Sequence, residues 1–236
     1  MIDATVVLIL ATFLLAGLVK GVIGLGLPTV SLAILTVAID LPTAMALLLV
    51  PSFVTNLWQA MVGGYGRLIL QRTWPFLLMA TLSIWLGAQA LKHLQLSLLS
   101  ALLGALLAAY SIVSLGGFRW SISTRRASWL GPLLGLVNGT LTGMTGSFVV
   151  PGVLYLQALE FDRNALIQAM GMLFTLSTLA LAAALQGNAL LSLELGAYSA
   201  LALLPAVAGM LLGQRIRRVI SESLFRNCLL YTSDAA

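Results

Sequence analysis

The sequence predicts an all-α membrane protein: a polytopic helical bundle of two inverted-topology repeats with broken or re-entrant helices. Three observations predict it. Of the 236 residues, 60% are hydrophobic and 8% charged, against about 25% charged in an ordinary soluble domain. The apolar residues fall in long runs divided by short polar punctuation, the pattern of membrane spans. Short motifs of the first half recur, in order, in the second. With 12 Lys and Arg and 7 Asp and Glu, the chain could not cover a water-soluble surface. Soluble enzymes, disordered chains and nucleic-acid modules are therefore excluded. The net charge of +5 is read by position, as membrane topology.

The elements follow in order. Residues 2–19 are apolar, with no Lys or Arg ahead of them and Asp3 in the place of a basic n-region. They are read as a retained span and not as a signal peptide. A glycine-rich break, Lys20-Gly-Val-Ile-Gly-Leu-Gly-Leu27, leads to a second apolar run at 28–39 that stops at Asp40-Leu-Pro42. Runs at 43–61, 74–91 and 98–115 come next. A basic loop, 118–128, divides the first repeat, 1–117, from the second, 129–230. In the second, 129–139 is apolar, 140–147 polar and glycine-rich, and 148–159 apolar; runs at 165–185 and 190–213 complete it.

A bilayer core is ~30 Å thick and takes about 20 helical residues to cross. The runs 28–39 and 148–159 rise only ~18 Å each at ~1.5 Å per residue. Residues 2–39 and 129–159 are accordingly expected as discontinuous helices or helix-break-helix hairpins, and the other runs as full spans, with Pro51 kinking its own. Irregular backbone at membrane depth is tolerated only inside protein or along a wet cavity.

Charge fixes the expected orientation. One side carries Arg67, Arg72, Arg119, Arg125, Arg126, Arg163, Arg215, Arg217 and Arg218, and the other Lys92 alone. The positive-inside rule puts the nine in the cytoplasm and the N-terminus outside. The repeat rests on ordered matches. Gly17-Leu-Val-Lys-Gly21 answers to Gly135-Leu-Val-Asn-Gly139, Pro28 to Pro151, 40–44 to 161–165, and 86–89 to 212–215. The run at 98–115 should also have a partner, yet only residues 224–231 are apolar after Arg218. The final helix is expected to be truncated, and 231–236 to be a tail of foreign or out-of-frame origin.

These motifs carry a resemblance. Lys20-Gly-Val-Ile-Gly-Leu-Gly-Leu-Pro28, the matching break from Gly135 to Pro151 and the order of long helices resemble the TauE/SafE family, the toluenesulfonate uptake permeases, over about residues 5–226. The second break, with Gly143-Met-Thr-Gly146-Ser147, has fewer glycines. The resemblance implies a permease for small anions such as sulfite, sulfonates or carboxylates.

The residues support an anion site in their own right. A half-helix that starts inside the membrane offers unpaired N–H groups and the positive end of its dipole. Pro28 and Pro151 stand where such half-helices would start. The expected substrate-binding residues are Lys20, Gly24, Gly26, Pro28 and Thr29 at the first break. Asn138, Thr142, Thr145, Gly146 and Ser147 form the second, and Asn56, Gln59, Gln168 and Thr175 lie on the long helices between. Ser52, Thr55 and Thr178 are weaker candidates. Each has a bland alternative: glycines also serve close helix packing, Lys20 could snorkel to the interface, and span hydroxyls and amides also bond neighbouring helices.

An intramembrane enzyme would need an acid, base, nucleophile or metal cluster within the spans, and Asp40, Glu160, Asp162 and Glu194 stand near span ends. Cys228 is the one cysteine and His93 the one histidine, so no metal or cofactor is expected. The expected function is a secondary transporter for small anions, working by alternating access between inverted repeats. The alternatives are a membrane scaffold or assembly subunit and, more remotely, that enzyme. The partners expected are a small anion and the bilayer, with no nucleic acid; the sequence is compatible with a homo-oligomer.

Overall fold

The structure, a computed structural model, describes residues 4–116 and 121–219. Eleven helices are described. They are α1 (Ala4–Ile23), α2 (Leu27–Ala38), α3 (Leu41–Leu47), α4 (Leu49–Met61), α5 (Gly66–Leu82), α6 (Ile84–His93), α7 (Leu96–Leu115), α8 (Thr124–Thr145), α9 (Gly152–Ala158), α10 (Arg163–Gly187) and α11 (Leu193–Val219). Among the described residues five helices, α5 and α6 counted as one, are long and apolar enough to cross a membrane. The bent pair α3–α4 makes a sixth. The chain is thus a polytopic helical membrane protein.

Several boundaries differ from those expected. The run at 43–61 is two helices bent by 46°, because Pro51 has no N–H for the Leu47 carbonyl and its ring crowds that turn. Ser199 of α11 fills the gap: its hydroxyl donates to the Leu47 carbonyl at 2.8 Å and accepts from the Val50 N–H at 3.0 Å. The polar stretch 140–147 is helical as far as Thr145. Thr140 and Thr145 donate to the carbonyls of Leu136 and Leu141, one turn back, so their hydroxyls are satisfied without leaving the helix. The second break is Gly146–Pro151, and the helix after it is only 7 residues long. The helix expected at 74–91 begins earlier, at Gly66, and α8 starts at Thr124, inside the stretch read as loop. Residues 224–236 and Arg119 lie outside the described residues.

Glycine stripes set the packing. A Cβ at Gly17 would collide with the Ala206 carbonyl, and one at Gly21 with that of Met210; Gly209 and Gly213 meet Leu14 and Leu18 in return. Helices α1 and α11 therefore run parallel in backbone contact. The same arrangement joins the other halves. Gly139 meets the carbonyl of Ala80, Gly143 that of Ile84, and Gly87 that of Thr140, so α8 runs parallel to α5–α6. Each repeat's first helix thus packs on a late helix of the other.

These contacts also correct the repeat register. Gly17 and Gly21 are matched in space by Gly139 and Gly143, one turn beyond Gly135 and Gly139. The sequence could be slid by a turn because Gly135, Gly139 and Gly143 form an i, i+4 ladder that matches itself. The counterpart of Lys20 is consequently Thr142, and Asp40, which caps α3 by accepting from the Thr43 N–H at 2.8 Å, answers to Asp162 ahead of α10.

Helix α10 is the axis of the bundle. It runs antiparallel to α4: Gln168 donates to the Ala60 carbonyl, while Thr178 and Ala182 sit beside Leu49 and Phe53. It runs parallel to α5–α6, with Gly66 near Gln168 and Trp85 near Gly187.

Candidate functional site

Two interruptions converge on one face of α10. The first, Gly24–Gly26, closes α1 with a Gly24 N–H to Lys20 carbonyl bond of 2.7 Å. Gly26 then precedes α2 at φ 117°, a left-handed conformation open chiefly to glycine. The second closes α8 in the same way, with Gly146 donating to the Thr142 carbonyl at 2.7 Å and Gly146 at φ 73°. Ile167, Met170, Phe174, Ser177 and Leu181 form an i, i+3, i+7 stripe on α10. Ile167 lies 3.7 Å from a Cβ placed on Gly24. Phe174 meets Phe148 of the second break, with ring centroids 5.8 Å apart. Seven residues, or ~10 Å of helix, separate the two contacts. Leu32 of α2 reaches from the first break to within 3.3 Å of a Cβ on Gly146. The breaks are therefore neighbours inside the bundle.

Lys20 sits in the last turn of α1, not within the break. It is 3% exposed, and among the described residues it is the one buried charged side chain. Its ammonium turns inward and donates to Oδ1 of Asn56. Asn56 shares the stripe Leu49, Phe53, Asn56, Ala60 on the face of α4 that meets α10, which sets it level with Thr175, halfway along α10. Among the described residues no carboxylate accompanies the cation: Asp40 is half-buried, and Glu160, Asp162 and Glu194 are exposed.

On the second-repeat side, Asn138 is fully buried and its Oδ1 accepts from the Gly152 N–H at 2.8 Å. Leu173 of α10 packs on the same glycine. Thr142 donates to the Ser147 carbonyl at 2.9 Å, and the Ser147 N–H donates to Thr145 Oγ1 at 3.2 Å. Lys Nζ and a backbone N–H are both donors. They can meet only the amide oxygen, so the Nδ2 groups of Asn56 and Asn138 point elsewhere. Both are buried without a hydrogen-bond partner, as are Thr29 Oγ1, Thr36 Oγ1, Ser52 Oγ, Ser147 Oγ and Ser177 Oγ. Buried polar atoms left unmatched cost free energy; Thr29 and Ser147 lie at the two breaks themselves, and Asn56 is the partner of Lys20.

The other expected residues have settled partners. Gln59 donates to the Ile167 carbonyl at 2.7 Å. Gln168 accepts from the Tyr65 N–H and donates to the Ala60 carbonyl, each at 2.8 Å. These amides tie α4 to α10 near one end of the bundle, below the central polar group. Thr175 donates to the Gly171 carbonyl of its own helix at 2.7 Å. Pro28 occupies the first turn of α2, whose N–H groups have no intrahelical acceptor. Ser177 was not among the expected residues. Its signal was a hydroxyl on the apolar stripe that also carries Phe174. A separate, mainly apolar cavity of about 250 Å³ lies at the α3–α4 bend, between Phe53, Thr178, Leu191 and Ser199.

No curated protein and no solved structure matches the chain. A family model described as sulfite exporter TauE/SafE matches residues 9–233. That match spans both breaks, every helix from α2 to α11 and most of α1, and it establishes that the chain belongs to the sulfite exporter TauE/SafE family of multi-pass membrane transporters.

Proposed function

We propose that the chain is a secondary transporter of small sulfur oxyanions, sulfite or sulfonates, in a bacterial cytoplasmic membrane, with its N-terminus outside. The observation that carries this reading is Lys20, a cation held in the bundle against a neutral Asn56 with no carboxylate beside it among the described residues. A lone buried charge is costly unless a counter-charge arrives, and intramembrane charges mark substrate paths. The guest supplies the missing negative charge. Lys20 Nζ attracts it, and Asn56 Nδ2, Asn138 Nδ2 and the hydroxyls of Ser147 and Ser177 donate to its oxygens. The first-turn N–H groups of α2 add the positive end of a helix dipole. Gly24–Gly26 and Gly146–Pro151 give the two repeats flexible junctions around one site, the arrangement that alternating access requires.

The test is flux of labelled sulfite and methanesulfonate into proteoliposomes. Saturable uptake is expected, and Lys20→Met should lower it about 10- to 100-fold, the worth of one charged hydrogen bond. Flux no greater than in empty liposomes, from well-folded protein, would dispose of the reading.

A further inference from the structure

The charge inventory around Lys20 limits which anions fit, and this step rests on the anion-transport reading above. On α1 itself the other described side chains are uncharged. Helix α11 faces it with Gly209, Met210 and Gly213; among its described side chains Glu194 and Arg215 are exposed and Tyr198 lies near the far end, while the side chains of Arg217 and Arg218 are outside the described ones. Helices α2 and α4 carry no titratable side chain, and Arg163 of α10 is exposed at that helix's first residue. Tyr155 of α9 is spent on the Ala127 carbonyl at 3.2 Å. Asn56, which Lys20 touches, is neutral, and so are the other unpartnered buried groups of the interior, Asn138 Nδ2, Ser147 Oγ and Ser177 Oγ.

We propose that the site is selective for singly charged sulfur oxyanions, sulfonates and hydrogensulfite, and rejects the dianions sulfite and sulfate. One negative charge neutralises Lys20. A second would lie mid-bundle without a partner, at the depth where an uncompensated charge is disfavoured on the order of 100-fold. Neutral amide and hydroxyl donors suit the remaining oxygens but cannot cancel a second charge. Sulfite then crosses with its own proton attached, and its pH dependence is that of the guest's ionisation near neutrality.

The experiment compares methanesulfonate, sulfite and sulfate in proteoliposomes of the full chain, from mildly acidic to mildly alkaline pH, with empty liposomes subtracted. Methanesulfonate is a monoanion throughout, so its flux records any titration of the protein itself. Divided by the methanesulfonate flux at each pH, sulfite flux should fall with rising pH in proportion to the hydrogensulfite fraction. Sulfate flux should be about 100-fold below that of methanesulfonate. Sulfate carried as fast as methanesulfonate, or sulfite flux rising with pH, overturns the proposal. A parallel fall of methanesulfonate and sulfite also overturns it, because the titrating group would then be on the protein. Absence of flux for all three would instead defeat the transport reading and this selectivity with it.

Discussion

Lys20 in the first repeat and Thr142 in the second occupy equivalent turns, four residues before equivalent glycines, and they spend themselves differently. Lys20 reaches across to Asn56 on another helix and leaves a cation in the interior. Thr142 bonds the Ser147 carbonyl in its own break, and Thr178, which stands where Asn56 does, bonds Phe174 of its own helix at 2.6 Å. The third elements differ as well. Pro51 breaks α3–α4, while α10 runs unbroken for 25 residues. Duplication thus kept the scaffold in both halves and put charge and bend into one. Among the described residues the buried cation and the bent span belong to the first half alone, while unpartnered buried amide and hydroxyl groups occur in both.

The comparison can be broken or sharpened in three steps. The scaffold should be symmetric. Gly21→Val and Gly143→Val each force a side chain onto a backbone carbonyl of a partner helix, and each should cost about 3 kcal/mol or more. Monodisperse yield in detergent should collapse for both; survival of one alone would break the equivalence. The polar interior should be asymmetric. Asn138→Ala orphans the Gly152 N–H and should lower stability by about 1–3 kcal/mol, read as thermal unfolding in detergent. Lys20→Met removes a lone buried charge and should melt no lower than the parent. The smallest effect concerns the bend. Ser199→Ala strips partners from the Leu47 carbonyl and Val50 N–H, and should cost about 1–2 kcal/mol. Thr175→Val on unbroken α10 should stay within about 0.5 kcal/mol, because the Gly171 carbonyl keeps its helical bond.

Much of the fold was legible because the bilayer imposes length and apolarity on any span. Both breaks could be found from glycine, proline and runs too short to cross. Their exact residues could not: Thr140, Thr142 and Thr145 look like loop formers, yet a threonine hydroxyl can bond its own helix. The Gly135–Gly139–Gly143 ladder concealed the true register because a ladder aligns with itself when shifted a turn. Lys20 stood out in the sequence as a charge amid apolar residues. That Gln59 and Gln168 clamp α4 to α10 while Ser177 Oγ is buried without a partner depends on which helix lies opposite, and spacing along one chain does not carry that information.

The cross-paired glycine helices bear on how the protein is made. Gly17 cannot meet Ala206 until nearly 190 further residues have been synthesised, ~10–40 s at ribosomal rates of ~5–20 residues per second. During that interval α1 sits in the bilayer with its notched face open and Lys20 without its final enclosure. Insertion must therefore hold an early helix in waiting. A nascent chain stalled before α11 would keep that notch unfilled and leave it facing lipid.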